Sequence, residues 1–322
     1  MIPEVKPVYC HDIANRPPVR RIHPGETLTV ELPDSDGLGP DLQSLPDSLF
    51  EQGSSKLGNP VYGPIAIEGA LPGDALRVHF LRIAPNRRIA RTLLAPDHGF
   101  LPDALLPDTP AGKPAHMYLW DVHKGKARLT NPLGDKPVVI PTAPFLGCIA
   151  TASLDHPPIS SLLVSDHGGN IDHPDLTEDS ALWLPVSHPG GMLYLGDMHA
   201  AQGHGELAGG GLEISGSATI QVELCKAQNL KVPRYQTPSG RASLGVGTNF
   251  ETATRSAVAD MTVWISEAGW NLYDANMLVN QICEIRPGGL AKEYAVVSCF
   301  IADRQLPTSS RGTTDRSDPE EK

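Results

Sequence analysis

Apolar and polar residues alternate along Thr27-Leu28-Thr29-Val30-Glu31-Leu32, the two-residue period of a half-buried strand, bounded by Pro24-Gly25 and by Pro33-Asp34-Ser35-Asp36-Gly37. The same period recurs in Leu76, Val78 and Phe80, and is clearest in Ala218, Ile220, Val222 and Leu224. Residues 61–67 and 75–81 flank the turn Leu71-Pro72-Gly73-Asp74, which predicts a strand, turn, strand unit. Residues 115–122 and 126–129 predict a hairpin closing at His123-Lys124-Gly125. The apolar runs 138–141 and 145–150 predict buried strands, and 38–58, rich in Gly, Pro, Ser and Asp, reads as a long loop. The period lengthens only beyond Gly240. Ala257, Met261, Trp264, Ile265 and Ala268 recur at three and four, predicting a helix over 252–268 that Gly269 ends. A second helix is expected over 272–282 with Asn271 as its N-cap, then a strand over 294–301 and a polar, disordered tail from Pro307.

The expected fold is therefore mainly β (α+β): a β-sandwich or barrel-like core with a small C-terminal α/β portion carrying two helices. Four segments are expected: an N-terminal β domain over 1–150, a central β segment over 151–230 that carries the active site, the α/β portion over 231–304, and the tail 305–322. The 31 Gly and 31 Pro among 322 residues fit short strands better than long helices. A net charge of −11 argues against a nucleic-acid partner or an anionic membrane surface, since both need clustered Lys and Arg. Cys10, Cys148, Cys225, Cys283 and Cys299 are odd in number and lack C-x-x-C spacing, so neither a disulfide framework nor a structural zinc cluster is expected. Cys148 lies among apolar neighbours and reads as an inert buried thiol. The first 21 residues hold no apolar run, nowhere do about 18 apolar residues follow one another, and a cytoplasmic protein is expected.

Chemistry-bearing side chains concentrate between Ser165 and Glu206, where Asp166, His167, Asp172, His173, Asp175, Asp197, His199, His204 and Glu206 can each bind a metal or move a proton. Asp197 and His199 are two apart, so an extended strand would project both from one face, with Leu193 and Leu195, at the end of a half-buried strand. Two glycines in Gln202-Gly203-His204-Gly205-Glu206 permit a reversal bringing His204 and Glu206 back over that pair, and Gly168-Gly169-Asn170 forms a second flexible loop before Asp172. Glu68, at the end of an apolar strand, either caps backbone N–H groups or points into a cavity. Asp34 and Asp36 read as turn residues that satisfy backbone donors, and His98 as a loop residue. No G-x-S-x-G or dinucleotide fingerprint is present.

The runs GGNIDHPDL, LWLPV and PGGMLYLGDMHAAQGHGE, with NPVYGPIAIEGALPGDALRV upstream, resemble the acetamidase/formamidase family, and the similarity extends thinly from about Pro24 to Cys299. That resemblance implies hydrolysis of a small aliphatic amide to carboxylate and ammonia in a site that holds a divalent metal. Asp197, His199, His204 and Asp172 are then the expected metal ligands. Glu206 or Glu68 carries the proton, and Asn170 holds the amide's carbonyl or nitrogen. His204 stands where the family has Asp, and a more nitrogen-rich site would favour zinc. The protein is expected to work as a homo-oligomer on a small-molecule amide, with no nucleic acid and no membrane. The competing reading is a non-catalytic β protein, derived from an amidase, that binds a metal or a small molecule.

Overall fold

A computed structural model describes residues 9–51, 58–95, 99–101, 116–153 and 158–305. Strands dominate. The expected strand pair appears as Val61–Ile67 and Ala75–Pro85, but the two enter different sheets. The first sheet has seven strands, in the order Tyr9–Cys10, Val61–Ile67, Leu193–His199, Phe145–Thr151, Gly168–Asn170 and Val164–Ser165, with Arg20–Ile22 parallel to Val61–Ile67. The second has eight, running from Cys283–Leu290 through Ala295–Ala302, Gly240–Gly247, Arg234–Thr237, Ala181–Pro185, Ala75–Pro85 and Gly216–Cys225 to Thr27–Leu32. It thus draws strands from all three segments expected between residues 1 and 304.

The two sheets share one apolar core. Ile65, Ile67, Leu146, Ile149 and Leu195 from the first meet Leu76, Val78, Phe80, Leu182, Ile220 and Val222 from the second. The alternation Leu76, Val78, Phe80 continues at Ile83 rather than at Arg82, because the register against Gly216–Cys225 shifts between Thr219 and Ile220. This bulge turns Leu81 outward and resets the inward face.

A smaller four-stranded sheet joins Ile89–Leu94, His116–His123, Lys126–Leu129 and Val139–Pro141. Its predicted hairpin closes on Lys124 and Gly125, with His123 opposite Lys126. Val139–Pro141 corrects an expectation: it is an edge strand with Val139 half exposed, since an apolar run does not specify which neighbour will cover it. Leu193–His199 differs in the opposite sense. It is buried at every position, because it lies between Val61–Ile67 and Phe145–Thr151 and both its faces are covered.

The two helices are α1 (Phe250–Glu267) and α2 (Leu272–Ile282). Asn271 accepts from the Asp274 N–H at the start of α2, as the sequence implied, and Asn249, not singled out from the sequence, caps α1 in a reciprocal box with Thr252. Gly245 lets α1 lie directly on Gly240–Gly247: a Cβ there would come within 2.0 Å of the Ala253 carbonyl oxygen. Among the described residues no helix is long and apolar enough to cross a membrane. His98 and the tail beyond Gln305 lie outside the described residues, as do residues 52–57 of the expected long loop.

Candidate active site

Asp197 and His199 end the central strand of the seven-stranded sheet. Their side chains converge, although Asp197 at a φ of 61° is not in extended backbone: His199 Nε2 lies 3.5 Å from Asp197 Oδ1, too far for a hydrogen bond but close enough to share a ligand. Asp172 joins them through Gly147. The Gly147 carbonyl accepts from the N–H groups of both Ile171 and Asp172, at 2.8 and 3.1 Å. The missing Cβ of Gly147 leaves room for two carboxylates, since a methyl there would lie 2.3 Å from Asp172 Oδ1 and 2.7 Å from Asp197 Oδ2. Glu206 returns over the site as its glycine-bearing loop suggested, so that ligand atoms of Asp172, His199 and Glu206 lie within 4.8 Å of one another.

Two members of the site escaped the sequence. Glu213 completes a second group with Asp197 and His199, its Oε1 3.0 Å from His199 Nε2. Its signal was a lone carboxylate between Leu212 and Ile214. Asn59 donates from Nδ2 to Asp197 Oδ2 at 2.7 Å and to Asn170 Oδ1 at 2.9 Å. Asn170, expected to grip substrate, is engaged on every side: its own Nδ2 donates to Asp172 Oδ2 and to the Tyr294 hydroxyl. That suits it to fixing Asp172. Gly168–Asn170 is accordingly a paired strand and not a flexible loop.

Two expected site residues stand apart. Glu68 is half exposed at the far end of Val61–Ile67 from Asn59 and pairs with His23 Nδ1 at 3.1 Å. His204 Nδ1 donates to the Pro287 carbonyl, and its Nε2 lies 3.5 Å from Asp175 Oδ1. His204 therefore belongs with His173 and Asp175 in a separate group that includes the Arg286 guanidinium, 2.9 Å from Asp175 Oδ2. Both ring nitrogens of His173 are engaged there, Nδ1 by the Asp175 N–H and Nε2 by Ser298, and the adjacent Arg286 opposes a cation. The nitrogen-rich centre that favoured zinc does not form around Asp197; the donor set there is four carboxylates and one imidazole.

Crowding sets the electrostatics. Burial drives the Asp172 carboxyl well above the usual range, with Glu206 and Asp197 adding to it, and raises Asp197 too. Burial pushes Glu206 up to about 7. Burial alone would lower His199, but Glu213 and Asp197 outweigh it and hold the imidazole well above its ordinary value. Glu213 is held low despite its burial, chiefly by His199. Asp172 Oδ1, Asp197 Oδ1 and Glu213 Oε2 nevertheless remain buried with no hydrogen-bond partner. Acceptors left this way carry a desolvation cost that a cation between them removes. His199 is already oriented for that role: its Nδ1 lies 2.7 Å from Gln202 Oε1, which turns Nε2 toward the carboxylates, and Gln202 Nε2 donates in turn to the Asp172 carbonyl. The residues present fit a divalent cation.

The group sits in the wall of a cavity of about 910 Å³ that also takes in Ser35, Asp36, Arg91 and Tyr294. Asp34 does satisfy backbone donors, accepting from the N–H groups of Asp36 and Leu38, but it also anchors two arginines, Arg87 buried and Arg91 half-buried. Its Oδ2 receives Arg87 and, at 2.7 Å, Arg91, which holds Arg91 at the cavity.

Comparison with known proteins gives a consistent picture. Residues 160–290 match the model of the Acetamidase/Formamidase family. A formamidase of Methylophilus methylotrophus is 44% identical over 62 residues, 19% of this chain and 15% of that protein. The structure of an acetamidase from Yersinia enterocolitica, 29% identical, superposes with a TM-score of 0.78 over 93% of this chain and 90% of that one. A protein from Thermoanaerobacter tengcongensis described as a predicted acetamidase/formamidase shares the fold at 24% identity, with a TM-score of 0.79 over 92% and 93% of the two chains.

Proposed function

From this chain's kinship with the acetamidase/formamidase family over residues 160–290, we propose that it hydrolyses the C–N bond of a linear aliphatic amide, releasing ammonia and a carboxylate. Formamide and acetamide are the simplest such substrates. The observation that carries the reading is the set of three partnerless carboxylate oxygens beside an imidazole already oriented from behind, all opening on one cavity.

Asp172, Asp197, His199 and Glu213 would hold a divalent cation, with Glu206 beside them. Such a cation supplies Lewis acidity toward the amide carbonyl and makes water a better nucleophile near neutral pH. One imidazole among carboxylates admits either zinc or manganese, and both are to be tested. Glu206, half-buried beside the others, can carry a proton to the leaving nitrogen, which would otherwise have to depart as a strongly basic amide anion. Asn59 and Asn170 keep Asp197 and Asp172 in place during that transfer. Gln202 keeps the His199 ring turned toward the cavity.

The test is ammonia release from formamide and acetamide by protein as purified, after chelation, and after return of zinc or manganese. Loss on chelation and recovery with one of the metals is expected. A metal-replete protein that turns over no short amide would instead favour a binding protein that keeps the fold without the reaction.

A further inference from the structure

The cavity is far larger than formamide or acetamide requires. At about 910 Å³ it lies near the top of the range of roughly 300–1,000 Å³ typical of sites for drug-sized ligands. Its two ends differ in chemistry. The inner end holds the carboxylates and His199, whereas the outer end is walled by Leu93, Phe100, Met117, Leu162, Leu163 and Leu290. Single exposed apolar side chains are ordinary on a protein surface, but here Leu93, Phe100, Leu162 and Leu163 are all exposed around one opening.

The register makes this wall continuous with the reacting groups. Leu93 pairs with Met117 across adjacent strands, so both side chains leave the sheet on one face, and Arg91, two residues before Leu93, leaves on that face too. Arg91 in turn pairs by backbone with Glu213. A molecule reaching from Glu213 toward solvent therefore passes Arg91 and then meets Leu93 and Met117.

Charge narrows the choice of occupant. Asp36 and Glu293 line the cavity in addition to the four inner carboxylates, and the cations that face them are Arg91 and Lys292. Arg91 is already matched by Asp34 and Asp36, each 2.7 Å from its Nη2. Lys292 is engaged as well, so an anionic substituent would find no unmatched guanidinium and would meet more carboxylates than cations.

Resting on the hydrolytic reading above, we infer that the preferred substrate is the primary amide of a bulky, uncharged, apolar acid, with its acyl chain or ring lodged against Leu93, Met117, Phe100 and the Leu162-Leu163 pair. Acetamide reaches the reacting groups and leaves this wall uncovered. Each methylene that the wall takes from water is worth up to roughly fourfold in binding. The chain would enter as the substrate binds and contribute to kcat/KM.

The experiment compares kcat/KM for acetamide, butanamide, hexanamide, benzamide and the anionic amide succinamate with metal-replete wild-type protein. Hexanamide or benzamide is expected to exceed both acetamide and succinamate by tenfold or more. The double substitution Leu93→Asn with Met117→Asn should lower the hexanamide-to-acetamide ratio at least fivefold. Turnover of acetamide with a flat or falling series overturns this inference and leaves the hydrolytic reading standing. A series that favours succinamate over hexanamide also overturns it. No turnover of any amide overturns both.

Discussion

Gly147→Ala tests the site with the smallest possible perturbation. Gly147 does not occupy the left-handed region that disfavours side chains, so alanine introduces a methyl group without backbone strain. That methyl would begin 2.3 Å from Asp172 Oδ1 and 2.7 Å from Asp197 Oδ2. Carbon and oxygen rest about 3.3 Å or more apart, so the two carboxylates must retreat by about 1.0 and 0.6 Å. Metal–ligand distances tolerate about 0.2 Å, and a misplacement of about 1 Å in a catalytic group can cost about 100-fold in rate. The fold itself should lose about 1–3 kcal/mol, the usual cost of an added methyl in a packed interior. The expected result is a protein that melts cooperatively at a modestly lower temperature, retains little metal after dialysis and has kcat/KM reduced about 100-fold or more. Gly134→Ala, where a Cβ would meet nothing within 4 Å, serves as the control. A Gly147→Ala protein that keeps one equivalent of metal and wild-type kcat/KM would refute the claim that Asp172 and Asp197 act together on one cation.

Other perturbations separate proton transfer, scaffold and pH dependence. Glu206→Gln removes the proton carrier, and kcat should fall by about 100-fold or more, read as initial rates of ammonia release at saturating metal. Asp34→Ala strands the buried Arg87 guanidinium and leaves the half-buried Arg91 with Asp36 alone; urea denaturation should show a loss of about 3–5 kcal/mol, and an effect below 1 kcal/mol would mean that Arg87 finds another partner. His173 is fully buried, and burial lowers its pKa from 6.5 to about 4, with Asp175 opposing. The fold thus favours the neutral ring, so its contribution is complete above about pH 6.5 and is lost as pH falls through about 4. The gap of about 2.5, at about 1.4 kcal/mol each, amounts to about 3 kcal/mol. His173→Asn should therefore lose less stability than wild type between pH 7 and pH 4 in urea midpoints, and equal losses would exclude His173 as a source.

The parts of the fold that could be read from sequence are those whose period is a local property. Thr27–Leu32 and Gly216–Cys225 alternate because one face of each is covered, and α1 and α2 carry their own start signals in Asn249 and Asn271. Sheet membership is not local. Val61–Ile67 and Ala75–Pro85 follow one another through a short turn, yet they join different layers, and that crossing puts Asn59 beside Asp197 while sending Glu68 to solvent. Glu68 and Glu206 look alike in sequence, each a carboxylate next to glycine. Which of them reaches the cavity depends on which end of a strand faces it.

The same distinction explains why one dense polar segment became two centres. Asp172 and His173 are adjacent, yet Asp172 turns to Gly147 and Asp197 while His173 turns to Ser298, Asp175 and His204. The turn is made by backbone that composition does not announce. Asp172, Asp197 and Glu206 all have positive φ, at 45°, 61° and 47°, where residues other than glycine sit at a cost of order 1–3 kcal/mol each. Such dihedrals persist only where flanking structure overdetermines them. Here the Gly147 carbonyl takes the N–H groups of Ile171 and Asp172, Leu193–His199 is fixed between two neighbouring strands, and Gly205 is bridged to Gly289 beside Asp172. Three of the four carboxylates are thus held by strained backbone inside a rigid double layer. A carboxylate cluster free to relax would spread apart under its own repulsion, so confinement of this kind preserves a cation-ready geometry before any cation arrives.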